Sequence, residues 1–116
     1  MEFTTSLKKN YEFRRLYQKG KSVAAPNLVV YFRRNGGGKN RLGITVSNKI
    51  GNAVTRNRIR RRMREIYRLN ESRFVRGIDL VAVARVKSAA AEYSDLERDF
   101  FRVCALLGLL REEAVE

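Results

Sequence analysis

Between Arg56 and Arg64 the chain reads Arg-Asn-Arg-Ile-Arg-Arg-Arg-Met-Arg, and this stretch constrains the fold more than any other. On a helix, at about 100° per residue, Ile59, Met63 and Ile66 fall within about 60° of one another and form a narrow core-facing stripe. The rest of the surface is cationic or polar. Asn57, Arg61, Arg64 and Arg68 follow the spacing i, i+4, i+7, i+11 with Arg60 alongside, which lines guanidinium groups along about three turns, roughly 16 Å. A helix from about Ala53 to Leu69 is therefore predicted, one face in a core and the other in solvent.

This charge is not placed for the helix's own stability. A solvated face would alternate signs at i, i+4, yet only Glu65 opposes the arginines. Arg56 and Arg58 sit in or near the first turn, where the macrodipole disfavours cations. The helix has no lysine, and the planar guanidinium fork both engages phosphate oxygens in pairs and stacks on bases. The whole chain agrees: 25 Lys and Arg stand against 12 Asp and Glu, a formal charge of +13. Such a surface attracts nucleic acid, an anionic membrane surface or an acidic protein. Residues 1–91 hold 22 basic and 5 acidic side chains and residues 92–116 hold 3 and 7, so the polyanion is expected to bind before the last segment.

At 116 residues the chain is read as one domain, 1–116. It has no histidine, which excludes imidazole chemistry and His-containing zinc sites, and its one cysteine, Cys104, has no disulfide partner and reads as a small buried hydrophobe. No signal-peptide stretch or run of about 18 apolar residues is present, so a cytoplasmic protein off the membrane is expected.

Leu7 to Lys19 is predicted as a first helix, capped by Thr5 or Ser6 and ended by Gly20. Ser22–Ala24 and Leu28–Phe32 read as strands around Pro26. Asn35 to Asn40 reads as a hairpin turn and not a phosphate loop, because Gly36-Gly37-Gly38-Lys39 lacks the required spacing and the Ser or Thr after Lys. Leu42, Ile44 and Val46 then alternate in a strand expected to pair antiparallel with Leu28–Phe32. Asn70–Gly77 is a connection, Asp79–Ala84 a buried strand, and Tyr93 to about Leu110 a closing helix with Leu96, Phe100, Val103, Leu106, Leu107 and Leu110 on one stripe. The expected class is α+β, an α/β sandwich in the order α-β-β-β-α-β-α.

Phe13 and Tyr17 stand i, i+4 on the first helix, and Tyr31 lies on a strand. Burial statistics favour a core role for such rings; the sharper reading makes Phe13, Tyr17 and Tyr31 a shallow cleft that stacks on unpaired bases, with Arg14, Arg15, Lys19 and Lys21 holding the backbone. No nucleophile–base pair can be assembled, and Glu12, Glu65 and Asp79 are scattered with no spacing that forces two together. A ribosomal protein, a duplex-DNA reader and a self-sufficient nuclease remain open at this point. The DNA reader lacks a helix-turn-helix partner, and the nuclease lacks catalytic groups.

The run Ser47-Asn48-Lys49-Ile50-Gly51-Asn52-Ala53-Val54-Thr55-Arg56-Asn57-Arg58-Ile59-Arg60-Arg61-Arg62-Met63-Arg64 resembles the signature of the bacterial ribonuclease P protein component. Leu7-Lys8-Lys9-Asn10, Phe13, Tyr17, Gly20, Ser22, Val23 and Asp79-Leu80-Val81 extend the likeness. The resemblance implies a sheet with a left-handed βαβ crossover through the arginine helix, and a partner RNA that itself carries catalysis, so that no catalytic residue is expected in the protein. It further implies that the RNA removes the 5′ leader of precursor tRNA with Mg2+, while the protein improves substrate binding. Arg56, Asn57, Arg58, Arg60, Arg61 and Arg64 match the family's RNA-contacting motif, and Lys49 and Arg68 join that set. Phe13, Tyr17, Ser22, Val29 and Tyr31 match the cleft that receives the leader. Tyr17 stands where many members have phenylalanine, Arg60 where lysine is frequent, and Asn48 in place of a common lysine. No obligate protein partner is expected.

Overall fold

β-Branched and aromatic runs become strands of one sheet, and the helical periodicities become helices that cover both its faces. A computed structural model describes residues 1–111. In chain order these form β1 (Thr4–Ser6), α1 (Asn10–Lys19), β2 (Lys21–Ala24), β3 (Leu28–Arg34), β4 (Asn40–Thr45), α2 (Ala53–Leu69), β5 (Ile78–Ala84) and α3 (Tyr93–Leu106). Short 3₁₀ turns lie at Asn48–Ile50, Glu71–Arg73 and Val86–Ala90. The sheet order is β1-β4-β5-β3-β2; β4 runs parallel to β1 and β5, while β3 is antiparallel to β5 and β2. This is the expected α+β class, and α2 makes the expected crossover between the parallel neighbours β4 and β5.

Strand alternation sends side chains to opposite faces. Phe32, Leu80 and Leu42 lie side by side across β3, β5 and β4. They share the main core with Ile59, Met63, Ile66 and Tyr67 of α2 and with Leu96, Phe100, Val103 and Cys104 of α3. The other face buries Val81 under Leu7 and Leu16, with Phe13, Tyr31 and Val83 packed around them. α1 therefore sits alone on one side of the sheet, and α2 and α3 on the other. Cys104 is fully buried, as expected, and burial pushes its thiol well above the ordinary value.

Three expectations are corrected. β3 and β4 are not a hairpin: β5 lies between them, buried along most of its length, as a central strand must be. The Asn35–Lys39 connection instead passes over the start of β5, with the Asn35 amide donating to the Gly77 carbonyl (2.8 Å). Gly77 has φ +88°, and a Cβ there would meet the Gly37 carbonyl oxygen at 2.6 Å.

The segment Thr4–Ser6 is a strand rather than a helix cap. α1 begins at Asn10, where the Glu12 carboxylate accepts from the Lys9 amide (3.3 Å). β1 is held from a distance: the buried Glu71 carboxylate accepts from the amides of Glu2 (2.8 Å) and Phe3 (3.0 Å).

The closing helix stops at Leu106, which is exposed. Gly108, at φ +76°, turns the chain back so that Leu109 is buried and Leu110 bridges Phe74. Of the acidic tail, Glu112, Glu113 and Glu116 lie outside the described residues.

Candidate nucleic-acid interface

The approach to α2 is built by short polar side chains. Ser47 Oγ accepts from the Lys49 amide (3.1 Å), and Asn52 Oδ1 caps α2 by accepting from the Thr55 amide (2.9 Å). Arg56 folds back over this turn, donating to Asn48 Oδ1 (2.7 Å) and the Gly51 carbonyl (3.1 Å). Asn48 is thus the acceptor that fixes an arginine at the mouth of the helix.

The remaining arginines divide by what they touch. Arg58 and Arg62 turn toward the Val86–Ala90 turn and its end, donating to the carbonyls of Ala89 (3.1 Å) and Ala91 (3.3 Å). Arg58 therefore lies away from the outer stripe, and its buried Nε has no partner among the described residues. Arg68 pairs with Glu65 (2.8 Å) and Arg60 donates to Asn57 Oδ1 (3.0 Å). Arg61 and Arg64 are exposed and make no hydrogen bond or ion pair among the described residues. Lys49 is exposed beside the turn.

The predicted aromatic set is brought together by register. Ser22, Tyr31, Val81 and Gly43 form one row across β2, β3, β5 and β4; Ala24, Val29, Val83 and Thr45 form the next. α1 covers Val81 and Gly43 and leaves Ser22, Tyr31 and the second row wholly or partly open. Gly43 is required here, since a Cβ would come within 2.6 Å of the Phe13 ring. Tyr17, 39% exposed, leans across the opening: its ring meets Tyr31 edge-on at 5.1 Å, and its hydroxyl is 2.9 Å from Thr45 Oγ1. Phe13, Tyr17, Thr45 and Val46 then wall a hollow of about 530 Å3 whose far side is Arg60 of α2. An adjoining hollow is lined by Phe13, Ile44, the β1 residues and Arg64.

Two of the three carboxylates that the sequence left scattered, Glu12 and Asp79, converge in space, while Glu65 stays on α2 with Arg68. Arg41 donates to both oxygens of Asp79 (2.9 and 2.7 Å) and to Glu12, tying α1 to β4 and β5. Burial alone would raise the Glu12 carboxyl, but the Lys9 amide and Arg41 hold it below its ordinary value. Arg41 is held further protonated by Asp79 first and Glu12 second. Neither Arg41, which ties α1 to the sheet, nor Thr45, which lines the hollow, was legible in these roles, because each acts through a partner on another element. Of the four basic residues expected to flank the cleft, Arg14 lines the hollow; Arg15 and Lys19 face the opposite side of α1, and Lys21 is an exposed β2 residue. No helix among the described residues is long and apolar enough to cross a membrane.

Residues 1–107 match the ribonuclease P family model. The chain is 38% identical over 115 residues to the ribonuclease P protein component of Natranaerobius thermophilus, covering 99% of this chain and 100% of that one. It is 45% identical over 96 residues to the component from Clostridioides difficile, covering 82% and 84%. The solved RNase P protein of Staphylococcus aureus superimposes with a TM-score of 0.85 at 34% identity, over 91% of this chain and 97% of that one. That of Thermotoga maritima gives 0.77 at 32% identity, over 84% and 92%. With the signature helix, the sheet order and these likenesses in agreement, the chain belongs to the ribonuclease P protein family, the protein components of an endoribonuclease that acts in tRNA 5′ processing.

Proposed function

We propose that this protein docks on the catalytic RNA of ribonuclease P through α2 and receives the single-stranded 5′ leader of precursor tRNA in the cleft between α1 and the sheet. One observation carries the reading: Arg60 projects from the arginine helix into the wall of the aromatic hollow, so a basic and a stacking surface are contiguous. Arg61 and Arg64, which have no protein partner among the described residues, are the first phosphate ligands on this reading. Lys49, Arg56, Asn57, Arg58, Arg60 and Arg68 extend the RNA-binding set. Phe13, Tyr17 and Tyr31 offer stacking worth about 1–3 kcal/mol per base, with Ser22 and Val29 along the floor.

Hydrolysis is assigned to the RNA. Glu12 and Asp79 both accept from Arg41, and this ion-paired arrangement supplies neither a free general base nor an open set of metal ligands. Mg2+ is accordingly assigned to the RNA, and no step is routed through a protein-bound ion.

The test separates the two surfaces in the reconstituted holoenzyme. Leader removal at low Mg2+ is expected only with both RNA and protein present. Arg61→Ala with Arg64→Ala is expected to weaken docking on the RNA subunit by about tenfold or more, about 1.4 kcal/mol. Tyr31→Ala is expected to raise the dissociation constant for precursor tRNA while leaving RNA docking near wild type. A wild-type holoenzyme indifferent to the presence of a leader would show the cleft assignment to be wrong.

A further inference from the structure

The outward face of α1 is a second basic surface that the docking and cleft assignments leave unused. Tyr11, Arg14, Arg15, Gln18 and Lys19 of α1 and Arg33 of β3 line a hollow of about 320 Å3. Tyr11 is 52% exposed, and the Arg15 guanidinium lies 5.8 Å from its ring centre. Arg14, Arg15, Lys19 and Arg33 make no hydrogen bond or ion pair among the described residues. The carboxylates within reach are engaged elsewhere: Glu12 and Asp79 are held by Arg41. Four like charges that no carboxylate pairs with among the described residues repel one another, so this face has the composition of a polyanion contact and not of a self-stabilised helix surface.

This face is continuous with the cleft in two ways. Arg14 lines both hollows, so α1 is their shared wall. Arg33 lies two residues beyond Tyr31 on the same face of β3, with Val29 two residues before it. Val29, Tyr31 and Arg33 thus lead along one strand from the cleft floor to the outer hollow. An exposed tyrosine among unpaired cations is the combination that holds single-stranded nucleic acid, ring face for a base and cations for the backbone.

We infer that the outer face of α1, with Tyr11, Arg15, Lys19 and Arg33, is a distal subsite for the precursor leader, holding nucleotides upstream of those in the cleft. This rests on the reading that the cleft takes the leader. The subsite adds affinity only to substrates whose leader is long enough to leave the cleft and cross α1.

The experiment uses holoenzyme and two precursor tRNAs, one with a leader of about 4 nucleotides and one of about 16. Wild-type protein should bind the long-leader substrate more tightly. The triple variant Arg15→Gln, Lys19→Gln, Arg33→Gln should lose that increment, bringing the long-to-short affinity ratio toward one, with short-leader affinity unchanged. Removing three phosphate contacts at about 0.7 each should lower the salt slope for the long leader by about 2. Tyr11→Ala should remove part of the increment without changing the slope, and the Arg15→Lys, Arg33→Lys variant should retain the slope.

Equal losses on both substrates would overturn the inference, because the face would then be meeting the RNA subunit or the tRNA body. An increment unchanged in the triple variant would overturn it too. Failure of the underlying cleft reading looks different: wild-type affinity would then not respond to either leader.

Discussion

At Gly43 the β4 backbone and the Phe13 ring approach so closely that a methyl group would lie 2.6 Å from one ring carbon and 2.8 Å from another. Nothing in Leu42-Gly43-Ile44 announces this, since the ring arrives from α1, thirty residues earlier. Alternation in β4 was legible; that one member of the alternating set had to be bare was not. Gly43→Ala is therefore expected to push Phe13 out of the cleft wall at a stability cost of about 1–3 kcal/mol, the usual range for overpacking. Urea denaturation measures that cost. Precursor-leader affinity should fall by more than the effect of the same substitution on docking to the RNA subunit; an equal fall in both would mean that Phe13 has no part in the cleft. The arginines show the same limit at the same scale. Their number and helical spacing were plain, but Arg58 turns to Ala89 and Arg56 to Asn48, and those acceptors come from two 3₁₀ turns whose positions only the folded chain defines.

Among the elements, α2 was predicted at its observed bounds because the helical period and the apolar stripe agree within one segment, whereas β1 was missed. Thr4-Thr5-Ser6 is short and polar, and its pairing with β4 depends on Glu71, which is far along the chain. The misplaced hairpin has a similar cause: a glycine-rich turn between two apolar strands is the usual local sign of pairing, and only the doubly buried β5 displaces it. Glu71 makes the attachment of β1 testable. Burial raises its carboxyl, but Thr4 and the amides of Glu2 and Phe3 outweigh that and hold it below its ordinary value. A depressed folded value means that the carboxylate contributes stability above its unfolded value, and that this contribution is lost as pH falls through the folded value. Glu71→Gln should cost about 1.5–3 kcal/mol at neutral pH, as for a charged hydrogen bond. The difference from wild type should shrink toward zero in acid, read from denaturation curves at pH about 7 and about 3. A difference that persists undiminished in acid would mean that the carboxylate charge does not hold β1.

Across the whole molecule the charge set against binding is also charge set against folding. The chain carries +13 in a body of 37 × 37 × 24 Å, and among the described residues Arg68 is the one α2 arginine with a carboxylate partner. At about 0.01 M salt the screening length of about 30 Å spans most of that body; at about 0.1 M it falls to about 10 Å, which leaves only near neighbours in mutual repulsion. Arg61 and Arg64, a helical turn apart, are such neighbours. Salt should therefore move the free protein and its complex in opposite directions. The thermal midpoint of the protein alone should rise between about 0.01 and 0.1 M salt, while affinity for RNA falls with a slope of about 0.7–0.9 per phosphate contact. Arg61→Gln with Arg64→Gln should then melt higher than wild type at low salt, with the gap closing as salt is added, and yet bind RNA more weakly. Both effects come from the same two side chains and can be read on one preparation, by calorimetry without RNA and by titration with it. A variant that melts lower than wild type at low salt would show that these arginines support the helix in the free protein, and the surface would then have to be read as structural.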